Sequence, residues 1–169
     1  MPISLVTPID SRIISGLSPG DQLLISGKIY TGRDAALPRL VRAIEEGLLP
    51  SMGLHLEGSI VFHTAVSIAG IGPTTSSKVE IEESIPALSR AGVRIHIGKG
   101  SLSSTTVEAL RENNSIFAVT PPVSALLTSL VVEQRVAAFP EEGMEAFHEL
   151  VVEFFPAIVA IAHGKSIYD

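Results

Sequence analysis

Gly70 to Val79 reads GIGPTTSSKV, and how this stretch folds decides how the runs on either side of it connect. Two glycines and a proline argue against a regular helix or strand here. Four consecutive hydroxyl residues come next, Thr74 to Ser77, and then the cation Lys78. Behind them Ile81, Ile85 and Leu88 recur at helical spacing. The stretch therefore reads as a tight loop feeding a helix N-terminus. Such a terminus offers unpaired backbone N–H groups and the positive end of the helix dipole, a natural seat for an anion. The same residues also fit a capping box of Ser77 and Glu80, with the other hydroxyls in solvent. Local sequence leaves both readings open.

Upstream lies a β-rich run, Ser59 to Val66, with His63 inside it. With no second histidine at a metal spacing, His63 reads as a half-buried strand residue. Downstream, Val93 to Ile97 alternates as a strand does and ends at Gly98-Lys99-Gly100. Lys99 is either part of a polar turn or a cation placed where ligands gather in α/β sheets, at a strand's carboxyl end. Earlier in the chain, Leu23 to Tyr30 reads as a core strand. Gly27 in its middle signals a bulge or a close backbone approach. Then comes TGRDAALPRLVRAIEEG, from Thr31 to Gly47. Asp34 is a candidate cap, and Ala36, Leu40, Val41 and Ile44 share one helical face. Pro38 is tolerated only in a first turn, so the helix starts near Leu37. Arg33 thus falls at a strand-to-helix junction, where an ion pair with a neighbouring acid is the plain alternative to a binding role.

Ile3 to Val6 reads as an edge strand, and Asp10 or Ser11 caps a short helix closed by Gly16. Ser103 or Ser104 caps a helix running to Glu112, and Ser115 to Val119 is a strand. Val123 to Leu130 suggests a helical turn or two, and Val131 to Phe139 leans to β. Gly143 precedes an expected helix with Ala146, Phe147, Leu150, Val151 and Phe154 on one side. Pro156 ends it, and Ala157 to Ala162 forms a last strand. Gly164-Lys165-Ser166 lacks the earlier glycine of a phosphate loop. The alternation of β-runs with helices predicts an α/β domain.

Composition narrows the functional classes. A length of 169 residues implies one domain, 1–169. Apolar residues make up 46% and charged residues 18%, below the usual ~25%, and mean hydropathy is +0.40. No apolar run reaches the ~18 residues of a membrane span. The surplus apolar surface is therefore expected at a partner interface. A net charge of −6 argues against nucleic acid. With no cysteine, the chain offers no disulfide and no thiolate for zinc or an iron–sulfur cluster. Met1 to Gly16 lacks the order of a signal peptide, so a cytoplasmic location is expected. No Gly-x-Ser-x-Gly elbow supports an autonomous hydrolase.

Three loops each carry a cation near glycine: Gly32-Arg33, the loop with Lys78, and Gly98-Lys99. Converging cations and a helix N-terminus suit a dicarboxylate, whose two charges need two positive poles. In GDQLLISGKIYTGRDAA, GIGPTTSSK, IHIGKG and GMEAFHELVVEFFPAIVAI the chain resembles the β subunit of the iron–sulfur class I fumarase and tartrate dehydratase family. These pieces span nearly the whole chain.

The resemblance implies a swivelling β/β/α domain in three layers. It implies reversible addition or removal of water at a 2-hydroxy dicarboxylate such as malate or tartrate. A [4Fe–4S] cluster would sit on a separate cysteine-bearing α subunit, in a heterodimer or heterotetramer, with its open iron acting on the leaving hydroxyl. Thr74 would take the carbon-bound proton, helped by an acceptor from the partner. Arg33, Lys78, Lys99 and Thr75 would bind substrate. Leu37 stands where the family usually has histidine. Lys78 replaces a usual arginine, exchanging a bidentate fork for a point charge. A non-catalytic anion-binding or assembly subunit is the alternative, and a homodimer is expected when the chain is isolated.

Overall fold

Helices lie between the strands that pair in parallel, and short turns join only the antiparallel pairs β4–β5 and β9–β10. The computed structural model describes residues 1–67, 69–74 and 78–169, with the backbone alone for 73, 74 and 78–80. In chain order the elements are β1 (Ile3–Val6), α1 (Ser11–Ser15), β2 (Gln22–Thr31), α2 (Leu37–Glu45), β3 (Ile60–Phe62), β4 (Thr64–Ser67), β5 (Gly70–Thr74), α3 (Lys78–Arg90), β6 (Ile95–Gly98), α4 (Ser104–Glu112), β7 (Ile116–Val119), α5 (Ser124–Ser129), β8 (Val131–Ala138), β9 (Phe147–Ala162) and β10 (Lys165–Ser166). Short 3-10 segments at Pro50–Met52 and Pro140–Glu145 complete it.

β2, β3, β6 and β7 run parallel side by side, with α2, α3 and α4 as their crossovers. β9 runs antiparallel and pairs with both β7 and β2, so these five strands close on themselves. Side chains alternate across the wall, as strand geometry demands. Ile60 and Phe62 enter an inner core with Ile25, Ile97 and Phe155. Val61, between them, faces an outer core with Leu37, Leu40 and Leu88 of α2 and α3. Leu110 of α4 joins Ile81, Ile85 and Phe117 in a third cluster. The expected α/β architecture is present.

Caps and turns fall where local chemistry puts them. Asp10 accepts from the Arg12 N–H at the start of α1, and Ser103 from the Thr106 N–H at the start of α4. Gly27 marks a bulge in β2 at φ 106°, with Thr7 so close that an added Cβ would lie 2.4 Å from its Oγ1. Asp34 does not cap α2; Ala36 holds that position without a side-chain bond, and Pro38 sits in the first turn.

Three expectations are corrected. Gly70 to Thr74 is a strand, β5, hairpinned against β4, rather than a loop. Its glycines serve close packing. A Cβ on Gly70 would lie 2.3 Å from Thr128 Cγ2, and the Ile71 N–H donates to Thr128 Oγ1 at 3.1 Å. Pro73 is tolerated because both strands of a two-stranded sheet are edges. Second, Ser59 to Val66 is interrupted at His63, where the chain leaves the main sheet for the hairpin. The candidate cap Ser77 lies outside the described residues.

The third correction is the largest. The expected helix from Ala146 to Phe154 and the strand after it are one strand, β9. One of its edges pairs with β2, the other first with β8 and then with β7. With both faces covered over much of its length, its apolar pattern does not alternate and imitates a helical face. The switch of partner coincides with a bend. Glu153 N–H donates to Leu130 C=O, and Phe154, at φ 52°, donates its N–H to Ser26 Oγ at 3.0 Å. Pro156 continues the strand opposite Leu24, and its carbonyl accepts from Thr120 Oγ1 at 2.7 Å.

Candidate functional site

Parallel strands present all their carboxyl ends on one edge, and register fixes what emerges there. Thr31, Phe62, Ile97 and Ala118 lie level across β2, β3, β6 and β7. Just beyond them come Arg33, the base of the β4–β5 hairpin, Lys99 and Thr120, in that lateral order. Arg33 and Lys99 leave strands two positions apart, roughly 10 Å at the usual interstrand spacing. The hairpin stands between them. Thr64 and Thr74 are backbone partners at its base, and α3 begins at Lys78 a few residues on. The backbone therefore brings Arg33, Thr74 and Lys99 to one edge, and α3 starts at Lys78, four residues after Thr74. The side chains of Thr74 and Lys78, and all of Thr75, lie outside the described residues.

Local packing fixes each position. Gly32 extends the β2 pairing by donating its N–H to the Phe62 carbonyl at 3.1 Å. A Cβ there would meet Leu37 Cδ2 at 2.8 Å and Phe147 at 3.1 Å, so the tight turn into α2 needs glycine. The Arg33 carbonyl then accepts from Leu37 N–H and opens the helix. Leu37, where a histidine is usual in the resembled family, is buried in the outer core.

The Arg33 guanidinium pairs with Glu145, Nη2 to Oε2 at 2.5 Å, while Glu145 Oε1 accepts from the Ala35 N–H at 3.2 Å. This hydrogen bond holds the Glu145 carboxyl below its ordinary range and raises the Arg33 guanidinium above its own. The ion pair considered from sequence is thus present, but its acid comes from 112 residues away. Glu145 was not singled out from sequence. The signal was the Gly-Met-Glu of the C-terminal stretch, hidden because the residues from Ala146 onward imitate a helix.

Lys99 is exposed and comes after Gly98, where a Cβ would press on the Phe117 ring at 3.0 Å. It lines a cavity of about 140 Å³ with Phe62, Gly72, Thr120, Pro121 and Leu127. Gly72 belongs to β5, so Lys99 and the hairpin border the same space.

Beneath the edge is a buried chain of polar groups. His63 and His96 are wholly enclosed. His63 Nε2 lies 3.3 Å from His96 Nδ1, and His96 Nε2 lies 2.9 Å from Ser89 Oγ. Burial lowers the His63 imidazole to about 4. Burial, then His63 and Arg94, lower His96 well below its ordinary value. Both rings are neutral near pH 7. His63 is therefore fully buried, rather than half-buried in a strand.

A [4Fe–4S] cluster is held by cysteine thiolates. The sequence has no cysteine, and the described residues contain no cluster of three or more histidine, aspartate or glutamate side chains. The two histidines that meet are turned toward each other. These residues do not fit a [4Fe–4S] centre. What the edge offers instead is a guanidinium paired with Glu145, an exposed lysine between two glycines and a helix start.

Comparison with known proteins gives a consistent result. The family model described as "Fumarase C-terminus" matches residues 1–169. The chain is 27% identical over 176 residues to the L(+)-tartrate dehydratase subunit beta of Escherichia coli K12, covering 96% of this chain and 85% of that one. The corresponding Shigella boydii subunit is 28% identical over 178 residues, with 96% and 85% covered. A Geobacillus stearothermophilus protein named for fumarate hydratase class I is 27% identical over 180 residues. That match covers 99% of this chain but 34% of the longer protein.

Proposed function

The chain belongs to the fumarase C-terminus family, and from that premise we propose that it is the β subunit of an iron–sulfur hydro-lyase that reversibly adds or removes water at a 2-hydroxy dicarboxylate. The reading extends to a single swivelling β/β/α domain over 1–169, acting in the cytoplasm. No described helix is long and apolar enough to cross a membrane. A separate α subunit carries the cluster, because the residues here do not fit it. Relatives of matching length are named L(+)-tartrate dehydratase subunit beta, whereas the protein named for fumarate hydratase class I is about three times longer than this chain. That contrast supports a separate partner chain.

One observation carries the site: the carboxyl ends of three adjacent parallel strands deliver Arg33, the Thr64–Thr74 backbone pair and Lys99 to one edge. In this reading Arg33 and Lys99, with Lys78 at the start of α3, hold the two carboxylates, and Thr75 adds a hydroxyl. Opposed cations fix a dianion in one orientation, which is where positioning gains arise. Thr74 takes the proton from carbon. An alcohol is a weak base near neutrality, so it works only beside an acceptor, and the partner's surface supplies that acceptor.

The test is purification with a cysteine-bearing partner, then anaerobic assay of the pair on fumarate, (S)-malate and L(+)-tartrate. Turnover on at least one is expected, with a loss of about 10²-fold or more for Thr74→Ala. Unchanged turnover in that variant would move the chain to the assembly role. Fumarate against tartrate is decided by the ratio of kcat/KM values.

A further inference from the structure

The substrate role of Arg33 leaves open what aims its guanidinium. We propose that Glu145 is a positioning residue of the dicarboxylate site, holding the Arg33 guanidinium and the loop beneath it in one orientation; this rests on Arg33 being a substrate residue. Three observations carry it. Both carboxylate oxygens of Glu145 are used on the same loop, one on Arg33 Nη2 at 2.5 Å and one on the Ala35 N–H at 3.2 Å. A carboxylate held at two points of one loop is itself fixed in place, and its charge-assisted hydrogen bond restrains where Arg33 Nη2 can sit.

The second is topological. Thr31 pairs with His148 in the β2–β9 ladder, so the chain entering β9 runs back beside the chain leaving β2. Glu145 stands just before that ladder begins. It is anchored by Ala146 and Phe147, both buried, with Phe147 stacked on Tyr30 at 4.9 Å. The acid is therefore delivered by the sheet, not by a wandering loop.

The third is reinforcement. Arg39 of α2 pairs with Glu141 at 2.5 Å, lies 3.8 Å from Glu142 and sits 4.4 Å over the Phe139 ring. The whole segment Pro140–Glu145 is clipped to the first turns of α2. Side chains of Arg33 and Glu145 are 25% and 28% exposed, so solvent screening is partial and the pair can retain its geometry while facing the edge.

A fixed guanidinium recognises one carboxylate of the substrate equally in ground and transition states. Its loosening should raise KM with kcat little changed. The experiment uses the purified α/β pair, steady-state kinetics and inhibition by succinate, a dicarboxylate, and butyrate, its one-carboxylate analogue. Glu145→Ala should raise KM and the succinate inhibition constant by about tenfold or more, the scale of a hydrogen bond to a charged group. Butyrate inhibition should move by less than about threefold. Glu145→Gln, which keeps an acceptor for Ala35, should fall between wild type and Glu145→Ala and guards against misfolding. In an Arg33→Ala background, Glu145→Ala should add nothing. An effect of Glu145→Ala that adds fully to Arg33→Ala, a lowered KM, or equal shifts for succinate and butyrate would overturn the proposal. If Arg33→Ala leaves KM unchanged, the substrate role of Arg33 falls, and this inference with it. If Arg33→Ala acts and Glu145→Ala does not, the inference alone falls.

Discussion

At the scale of single residues, the most informative groups are those that must stay uncharged. His63 and His96 touch inside the core, and each would pay a large desolvation penalty on protonation. In the unfolded chain a histidine titrates near 6.5, while His63 in the folded protein titrates at about 4. The unfolded state thus binds more protons between these values, and stability falls as pH drops through that window. For His63 alone the loss is on the order of 2 kcal/mol by pH 5, with His96 adding in the same direction. The groups that act on His96 are His63 and Arg94. Urea unfolding from pH 7 to 5 should show this slope, and His63→Leu should flatten it. A slope unchanged in that variant would assign the acid sensitivity to other groups. Gly27 offers a second check. At φ 106° and with Thr7 Oγ1 2.4 Å from an added Cβ, Gly27→Ala should cost about 2 kcal/mol or more. Chemical denaturation would read this directly, and a neutral result would show that Thr7 can move aside. This bulge was legible in advance, because a glycine inside an apolar strand has few other uses. The burial of His63 was not, because its partner His96 comes from β6, 33 residues on.

At the scale of elements, legibility tracked locality. The starts of α1 and α4 were readable because Asp10 and Ser103 satisfy N–H groups two or three residues away. β9 was misread because its character is set by neighbours distant in sequence. A helix from Ala146 would bury Phe147, Leu150, Val151 and Phe154 together. In the strand, Phe155 is wholly buried while Phe154 is 60% exposed. The two pictures make opposite predictions for adjacent aromatics. Phe155→Ala should cost about 3–5 kcal/mol, the range for truncating a core aromatic. Phe154→Ala should cost far less, and Phe154→Gly should be tolerated because its φ of 52° suits glycine. Melting curves of the three variants decide this. A larger loss at Phe154 than at Phe155 would contradict the strand. The same locality rule explains the site. The junction at Arg33 and the glycines around Lys99 are local features and were visible. The acid that meets Arg33 depends on β9 pairing with β2, which local periodicity concealed.

At the scale of the whole molecule, the low charge content still has to find its place. The exposed area is 7829 Å², close to the ~8,000 Å² of a well-packed monomer of this mass, so the shape itself is not extended. Exposed apolar side chains occur along the chain, from Ile3 and Val6 to Ile167, and two of them lie on β8. Val132 and Val136 on β8 are 56% and 44% exposed, with Met144 and Phe154 nearby in the chain's last third. Among the described residues β8 pairs with β9 alone, so its second edge is open, and its burial pattern is exposed over most of its length. An open strand edge is a template for another strand. The isolated chain should therefore self-associate through β8. Its net charge of −6 opposes that contact, so association should strengthen as salt screens the repulsion. Sedimentation velocity at low and moderate salt would reveal the trend. Val132→Lys should weaken it without lowering the melting temperature, since that side chain faces solvent in the monomer. Amide exchange should slow along β8 in the associated form. A wild-type chain that stays monomeric at all salt concentrations, with β8 amides exchanging freely, would show that this edge is guarded by its own charges, Glu133 and Arg135, and that the apolar surplus lies elsewhere.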